Sequence, residues 1–134
     1  MKKLFLSILL VSTLFLTGCA KSGDDKEIKI AYTTQTLSNP YFVTVAEGFE
    51  AYGKEKGIKN IVTDGKQDAS AQVAQVENFI AQKVDAIVIT PVNDKALEDV
   101  VKQAIDAGIV VVAANQDFPG SQAFVTIHYL KISF

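Results

Sequence analysis

Four short runs of β-branched and apolar residues recur along the chain, and each is followed by a polar turn. They read IKIAYTT, IKNIVTD, VDAIVIT and GIVVVAA, over residues 28–34, 58–64, 84–90 and 108–114. Helix-length segments follow the first three runs. Near-continuous apolar strands that alternate with helices are typical of a parallel sheet covered on both faces. The rhythm therefore predicts an α/β fold, a doubly wound parallel sheet with right-handed crossovers and a fifth strand near residues 123–127.

The three intervening segments have apolar residues at helical spacing. The pattern predicts helices over residues 40–56, 69–82 and 94–107. Their apolar faces are Phe42, Val45, Ala46 and Phe49 in the first, Val73, Val76 and Ile80 in the second, and Leu97, Val101, Ala104 and Ile105 in the third. The spacing alone assigns these side chains to the core.

Residues with special backbone preferences mark the ends of the predicted helices. Asn39-Pro40 places a favoured N-cap before a proline at the first helical position. Gly53, Gly57 and Gly108 suit helix C-termini or the turns that follow them. The Asn-Pro step therefore predicts where the first helix begins.

The first 19 residues, MKKLFLSILLVSTLFLTGC, carry two lysines, an apolar run and small residues before the only cysteine. This order predicts an export signal, and its end, Leu-Thr-Gly-Cys, resembles the lipobox of bacterial lipoproteins. The resemblance implies that Cys19 is lipidated and anchors an extracytoplasmic protein to a membrane. The alternative is an uncleaved anchor, although the apolar stretch is shorter than the ~20 residues that a span needs. Residues 20–27 predict a flexible tether, and residues 28–134 one small domain.

Composition and motifs exclude several classes of function. Two of the 13 basic residues leave with the signal, so 11 remain against 15 carboxylates, and the net charge of −4 argues against a nucleic-acid partner. Every basic residue is lysine, which disfavours strongly anionic ligands. The sequence lacks G-x-G-x-x-G after the first strand, the P-loop and G-x-S-x-G. With a lone histidine, His128, and no zinc-ligand spacing, we predict neither an enzyme nor a metal or cofactor site.

Polar residues gather in the loops that follow the predicted strands. Ligands of open parallel sheets bind beyond the carboxyl ends of the strands. The loops there contribute Thr34, Gln35, Ser38, Asn39, Asp64, Gln67, Asp68, Thr90, Asn93, Asn115, Gln116 and Asp117, with Tyr41, Phe42 and Phe118 close by. Neutral hydrogen-bonding groups beside aromatic rings predict a site for a neutral, polyhydroxylated molecule.

Three segments carry a resemblance to a known family: IKIAYTTQTLSNPYFVTVAEGFEAYGKEKG, DASAQVAQVENFIAQKVDAIVITPVNDKAL and AIDAGIVVVAANQDF. They resemble the type I periplasmic sugar-binding proteins of ABC importers, the ribose-binding group in particular, over about residues 27–130. The family fold has two similar α/β lobes that close on a sugar, and closure creates the surface that the membrane permease recognises. The resemblance implies that residues 28–134 are the N-terminal, Rossmann-like lobe, with a sugar and permease subunits as partners.

The resemblance assigns roles to three residues of the SNPYF motif. Asn39 matches an asparagine that bonds sugar hydroxyls. Tyr41 and Phe42 match aromatic residues that flank the sugar ring. For Phe42 the alternative is a place on the apolar face of the first helix.

Three further positions depart from the ribose binders. Thr90 stands where they have an asparagine. Asn115 and Gln116 fill the places of an Asp-Arg pair that reaches the sugar, and Asp117 is an alternative source of the carboxylate. The departures argue against ribose itself but still fit a small sugar, pentose or hexose.

The end of the sequence departs from the family as well. VTIHYLKISF has His128 and Ser133 in places that the family fills with aspartate and glycine, and family members are roughly twice as long. We therefore expect a truncated or frameshifted chain that lacks the second lobe and binds sugar weakly by itself. The alternatives are a receptor for a small signalling molecule, such as a furanone, and a gene fragment without function. The export signal argues against the LacI-type regulators, which share the lobe.

Overall fold

The computed structural model describes residues 26–126, which form a five-stranded sheet and three helices. The elements are β1 Lys29–Thr34, α1 Pro40–Lys56, β2 Lys59–Asp64, α2 Ala69–Ala81, β3 Ala86–Ile89, α3 Asp94–Asp106, β4 Val110–Ala114 and β5 Ala123–Val125. The predicted elements are confirmed, with ends shifted by at most two residues. The predicted signal with Cys19, most of the tether, and His128 and Ser133 lie outside the described residues.

All strand pairs are parallel, and the strands lie in the order β2-β1-β3-β4-β5. Helices α2 and α3 pack against each other on one face of the sheet, and α1 lies on the other face against β2. This arrangement is the predicted doubly wound α/β fold. Within residues 26–126 no helix is long and apolar enough to cross a membrane.

The main core lies between the sheet and the pair α2 and α3. Alternate residues of the strands point to it because side chains of a strand alternate between the two faces. Its buried members are Ala31, Val76, Phe79, Val84, Ile87, Ile89, Leu97, Val100, Val101, Ala104, Ile109, Val111, Ala113 and Phe118. Three predicted core residues, Val73, Ile80 and Ile105, are only partly buried at its margin.

The opposite face of the sheet is covered at one end only. There Tyr32 of β1 packs on Phe49 of α1, with ring centroids 5.6 Å apart. At the other end Val110 and Val125 are 47% and 59% exposed. The predicted covering of both faces is therefore incomplete within residues 26–126.

Each helix begins at a side-chain cap. Asn39 Oδ1 accepts the Tyr41 N–H at 2.9 Å, Asp68 caps α2, and Asn93 caps α3. Gly57 ends α1 with φ of 68°, in the left-handed region that glycine favours. The predicted starts of all three helices are confirmed by these caps.

The prediction of a helix end at Gly53 is wrong. Gly53 is buried inside α1, four residues before the C-cap, and it faces Asn60 of β2. A Cβ atom on Gly53 would lie 2.0 Å from Asn60 Nδ2. The Asn60 amide in turn donates to the Phe49 carbonyl. Glycine is needed here because an asparagine side chain fills the space beside the helix.

We expect Gly53→Ala to lower the free energy of unfolding by about 1–2 kcal/mol, because the displaced Asn60 amide loses its bond to Phe49. In an Asn60→Ala background, the same substitution should raise it by about 0.5–1 kcal/mol, since alanine favours a helix. Urea unfolding of the four proteins measures both effects. Equal effects in the two backgrounds would contradict the close approach.

Candidate ligand-binding site

The carboxyl ends of β1 and β3 lie side by side, and the chain leaves them in opposite directions, towards β2 and β4. The Gln35 side chain donates to the Pro91 carbonyl at 2.7 Å across this seam, and Thr90 N donates to Thr33 O at 2.9 Å. In open α/β sheets, ligands bind at such a switch point. The crevice beyond β1 and β3 is therefore the candidate site.

A cavity of about 130 Å³ opens at this edge of the sheet, on the side of α1. Its walls are Tyr32, Tyr41, Val45, Thr90, Ala114, Asn115 and Val125. Three predicted site residues, Tyr41, Thr90 and Asn115, thus come together from three separate segments. Tyr32, Val45 and Val125 were not predicted, because strand and helix patterns assign such residues to the core.

Tyr41 connects the start of α1 to the loop after β4. Its hydroxyl donates to Asn115 Oδ1 at 3.0 Å. Asn115 has φ of 66°, a left-handed conformation that asparagine tolerates, and its N–H donates to Val125 O at 2.8 Å. These two bonds build one wall of the cavity, and the Tyr41–Asn115 bond joins residues 74 positions apart in the sequence.

Asn39 and Phe42 flank the cavity without lining it. Asn39 is exposed; its side-chain oxygen caps α1, and its amide nitrogen makes no hydrogen bond to another described residue. Phe42 is 7% exposed and meets the Tyr41 ring edge-on, with centroids 5.1 Å apart. Most of the Phe42 side chain is buried within the lobe, so the Tyr41 ring is more accessible to a ligand than the Phe42 ring.

Thr90 is fully buried, and its hydroxyl is already paired. Thr90 Oγ1 and the Tyr32 hydroxyl lie 3.2 Å apart and share a hydrogen bond at the floor of the cavity. A ligand that reached this floor would meet a satisfied pair rather than free donors.

Gln116 and Asp117 follow Asn115 but do not line the cavity. Asp117 Oδ1 accepts the Phe118 N–H at 2.9 Å and the Ser121 hydroxyl at 2.8 Å. The Gln116 side chain is exposed and makes no hydrogen bond to another described residue. Asp117 therefore organises the loop after β4, while the Gln116 amide is available to a ligand.

Several other predicted loop residues hold the backbone in place. Asp64 Oδ1 accepts the N–H groups of Leu37 and Lys66 at 3.1 and 2.8 Å. Asp68 and Asn93 serve as the helix caps described above. Much of the polarity that predicted a ligand wall is thus used within the lobe.

Two glutamines of α2, both missed by sequence analysis, hold the strand ends that form the crevice. Gln72 is fully buried. Its amide nitrogen donates to Thr33 Oγ1 at 3.2 Å and to Thr90 O at 2.9 Å, and its oxygen accepts Val92 N–H at 2.8 Å. All the polar atoms of this side chain are therefore used, and they fix the chain on both sides of Pro91.

Gln75, one turn further along α2, binds β1 and β2. Its oxygen accepts the hydroxyls of Thr33 and Thr63 at 2.7 and 2.9 Å. Its nitrogen donates to Asp64 O at 2.7 Å. The only signal for this pair in the sequence is polar residues three apart beside the apolar face of the helix.

Within residues 26–126, no group of three or more His, Cys, Asp or Glu side chains could hold a metal ion. The groups that remain for a ligand are amides, hydroxyls and an aromatic ring.

Residues 30–131 match the model of a family described as periplasmic binding protein domain. The ribose import binding protein of Bacillus subtilis (strain 168) is 36% identical over 126 residues, which cover 87% of this chain and 41% of that protein. The D-ribose/D-allose-binding protein of Pseudomonas aeruginosa is 36% identical over 121 residues, 81% of this chain and 38% of that protein. The chain thus spans about two fifths of the length of these curated relatives.

Solved structures show the same architecture. An ABC transporter solute binding protein from Mycobacterium smegmatis with bound glycerol has a TM-score of 0.71 and 26% identity, over 74% of this chain and 35% of that chain. The similarity confirms the predicted Rossmann-like lobe.

Proposed function

The chain belongs to the periplasmic binding protein domain family, and we propose that it binds a small neutral sugar, pentose or hexose, as a lobe of the solute-binding protein of an ABC importer. The observation that carries the proposal is the convergence of Tyr41, Thr90 and Asn115 on one cavity at the switch point. The relatives are sugar-binding proteins rather than enzymes, which supports binding without catalysis.

The charges around the crevice favour a neutral ligand. None of the residues that line the cavity is a carboxylate or an ammonium group. The nearby carboxylates of Asp64 and Asp117 each accept backbone N–H groups, and the sequence has no arginine. On this proposal, Tyr41 covers the C–H face of the sugar, while the amides of Asn39, Asn115 and Gln116 bond its hydroxyls.

The crevice offers one wall of a binding site. We propose that a second lobe supplies the opposite wall, and that closure on the sugar presents the complex to the permease subunits. Lipidation of Cys19 and a tether over residues 20–27 would hold this receptor at the outer surface of a membrane. These residues precede the described part of the chain, apart from the last two of the tether.

A second candidate is a receptor for a small signalling molecule in the same fold. The aliphatic groups of Val45, Ala114 and Val125 in the cavity favour it, because they suit a methylated ligand better than one with a hydroxyl on every carbon. The same titration separates the two candidates.

We expect neutral sugars to bind the chain weakly, with millimolar dissociation constants, because a single wall buries little of a ligand. The measurement is a titration with D-ribose, D-allose, D-xylose, D-gluconate and a methylated furanone, followed by NMR of the backbone amides. Shifts should appear in residues 35–42, 90–93 and 115–118 with the three neutral sugars. A stronger response to the gluconate anion, or shifts elsewhere, would contradict the proposed ligand class. A response only to a methylated furanone would favour the signalling receptor.

Two tyrosines of α1 provide a matched pair of variants. Tyr41→Ala should weaken sugar binding about tenfold or more, through loss of the stacking surface and of the bond to Asn115. Tyr52→Ala should leave it unchanged, since Tyr52 is 60% exposed near the other end of the helix. If both variants bind like the wild type, Tyr41 is not part of the site.

A further inference from the structure

The edge of the sheet opposite the candidate site is rich in lysine. In a parallel α/β fold, the amino ends of the strands and the carboxyl ends of the helices lie at the same edge. We call this the amino edge; it comprises residues 26–29, 54–59, 82–85 and 106–110. Its lysines are Lys26, Lys29, Lys54, Lys56, Lys59 and Lys83. The described part of the chain thus has six of its nine lysines at this edge.

The charge is distributed unevenly over the lobe. The amino edge has four carboxylates against its six lysines, a net charge of +2. The remainder of residues 26–126 has nine carboxylates against three lysines, a net charge of −6. An anionic surface would therefore attract the amino edge and repel the remainder of the lobe.

Compensation of helix dipoles explains only part of this cluster. Lys54 and Lys56 lie in the last turn of α1, where cations are favoured, but the last turns of α2 and α3 contain no basic residue. Lys29 and Lys59 are direct partners across β1 and β2. Like charges directly opposite each other are unfavourable in a sheet, so an external anion would relieve this pair.

A groove gives the amino edge room for a bound group. It has a volume of about 360 Å³ and is lined in part by Lys26, Lys83 and Asp85. Lys26 Nζ lies 2.6 Å from the Asp85 carboxylate. That hydrogen bond, with the one from the Lys29 N–H, lowers the pKa of Asp85. One lysine of the groove is thus paired, and Lys83 makes no ion pair within the described residues.

We propose that the amino edge lies against an anionic phospholipid surface and turns the candidate binding site away from the membrane. Lys26 and Glu27, the last two residues of the predicted tether, belong to the amino edge, so the tether joins the lobe at this edge. The attraction of each lysine to such a surface is worth ~1 kcal/mol, which corresponds to about a fivefold increase in its occupancy of the surface. The proposal does not depend on which ligand the lobe binds.

The test is trace acetylation of lysines in the full chain, bound to vesicles of phosphatidylcholine alone or of equal parts phosphatidylglycerol and phosphatidylcholine. Mass spectrometry gives the rate at each lysine. On the anionic vesicles, the six lysines of the amino edge should react about fivefold more slowly, whereas Lys66 and Lys95 should be unchanged. The difference should vanish in about 1 M NaCl. Each lysine is compared with itself, because hydrogen bonding to Asp106 raises the pKa of Lys102.

Charge-reversed variants distinguish protection that depends on the orientation of the lobe from protection that depends only on net charge. Lys29→Glu with Lys59→Glu should abolish protection of the four remaining lysines of the edge. Lys66→Glu with Lys95→Glu changes the net charge equally and should leave the protection intact. Uniform protection, equal protection on phosphatidylcholine, or loss of protection in both double variants would overturn the proposal. Equal protection by inorganic phosphate or a short DNA duplex without vesicles would assign the edge to those anions and overturn it as well.

Discussion

Replacement of Gln72 by leucine should lower the free energy of unfolding by about 3–5 kcal/mol, the largest effect of any substitution considered. Leucine has a similar volume but no polar atoms. The change therefore removes three hydrogen bonds, and it leaves the Thr90 carbonyl and the Val92 N–H without their partner. Urea unfolding measures the loss. The slope of the free energy of unfolding against urea concentration should be the same in the variant and the wild type.

Gln103→Leu is the matched control for this substitution. Gln103 lies on α3 and is exposed, so its replacement should change the free energy of unfolding by less than about 0.5 kcal/mol. Similar losses in the two variants would mean that the buried amide does not hold the strand ends. In NMR spectra, the backbone amide signals around Thr90 should differ from those of the wild type in the Gln72 variant but not in the Gln103 variant.

The second large effect is expected for Gly65→Ala, at the turn after β2. Gly65 is buried, and a Cβ there would lie 2.5 Å from the Thr34 carbonyl oxygen and 3.3 Å from Val92 Cγ2. The carbonyl belongs to the backbone and cannot turn aside as a side chain can. We expect a loss of about 2–3 kcal/mol, seen as a fall in Tm of about 10 °C or more.

Gly48→Ala tests whether the lost space, rather than the loss of a glycine, is responsible. Gly48 lies in the middle of α1 and has no atom within 4 Å of its added Cβ. That substitution should raise Tm by a few degrees, because alanine is the better helix former. A fall in Tm for Gly48→Ala, or no fall for Gly65→Ala, would contradict this account of the turn.

The fold could be predicted because local patterns and the global architecture agree. The apolar runs, the helical spacing and the Asn39 cap all specify the same elements. The loops after the predicted strands, with the adjoining start of α1, already contained Tyr41, Thr90 and Asn115, which the structure brings together at one cavity. One prediction from local sequence was wrong. Glycine is typical of a helix end, but Gly53 lies inside α1 and faces Asn60, which belongs to a different element.

The supports of the site could not be predicted for the same reason. Gln72 and Gln75 are ordinary polar residues of a helix until β1, β2 and β3 are placed beside them. Tyr32, Val45 and Val125 look like core residues, and only the incomplete covering of the sheet face makes them part of a cavity. The ligand-binding and lipidation roles stay predictions for all of the residues named in the sequence analysis: Asn39, Tyr41, Phe42, Thr90, Asn115, Gln116, Asp117 and Cys19.

The strand order has a consequence for the entropy of chain closure. Ile30 of β1 pairs with Ala86 of β3, whereas Ala86 pairs with Val110 of β4. The first pairing closes a loop more than twice as long as the second, and each doubling of loop length costs about 0.6 kcal/mol. Among the described strands, the candidate site therefore lies between the two neighbours, β1 and β3, whose separation returns the most conformational entropy to the chain, and Gln72 of α2 bridges them.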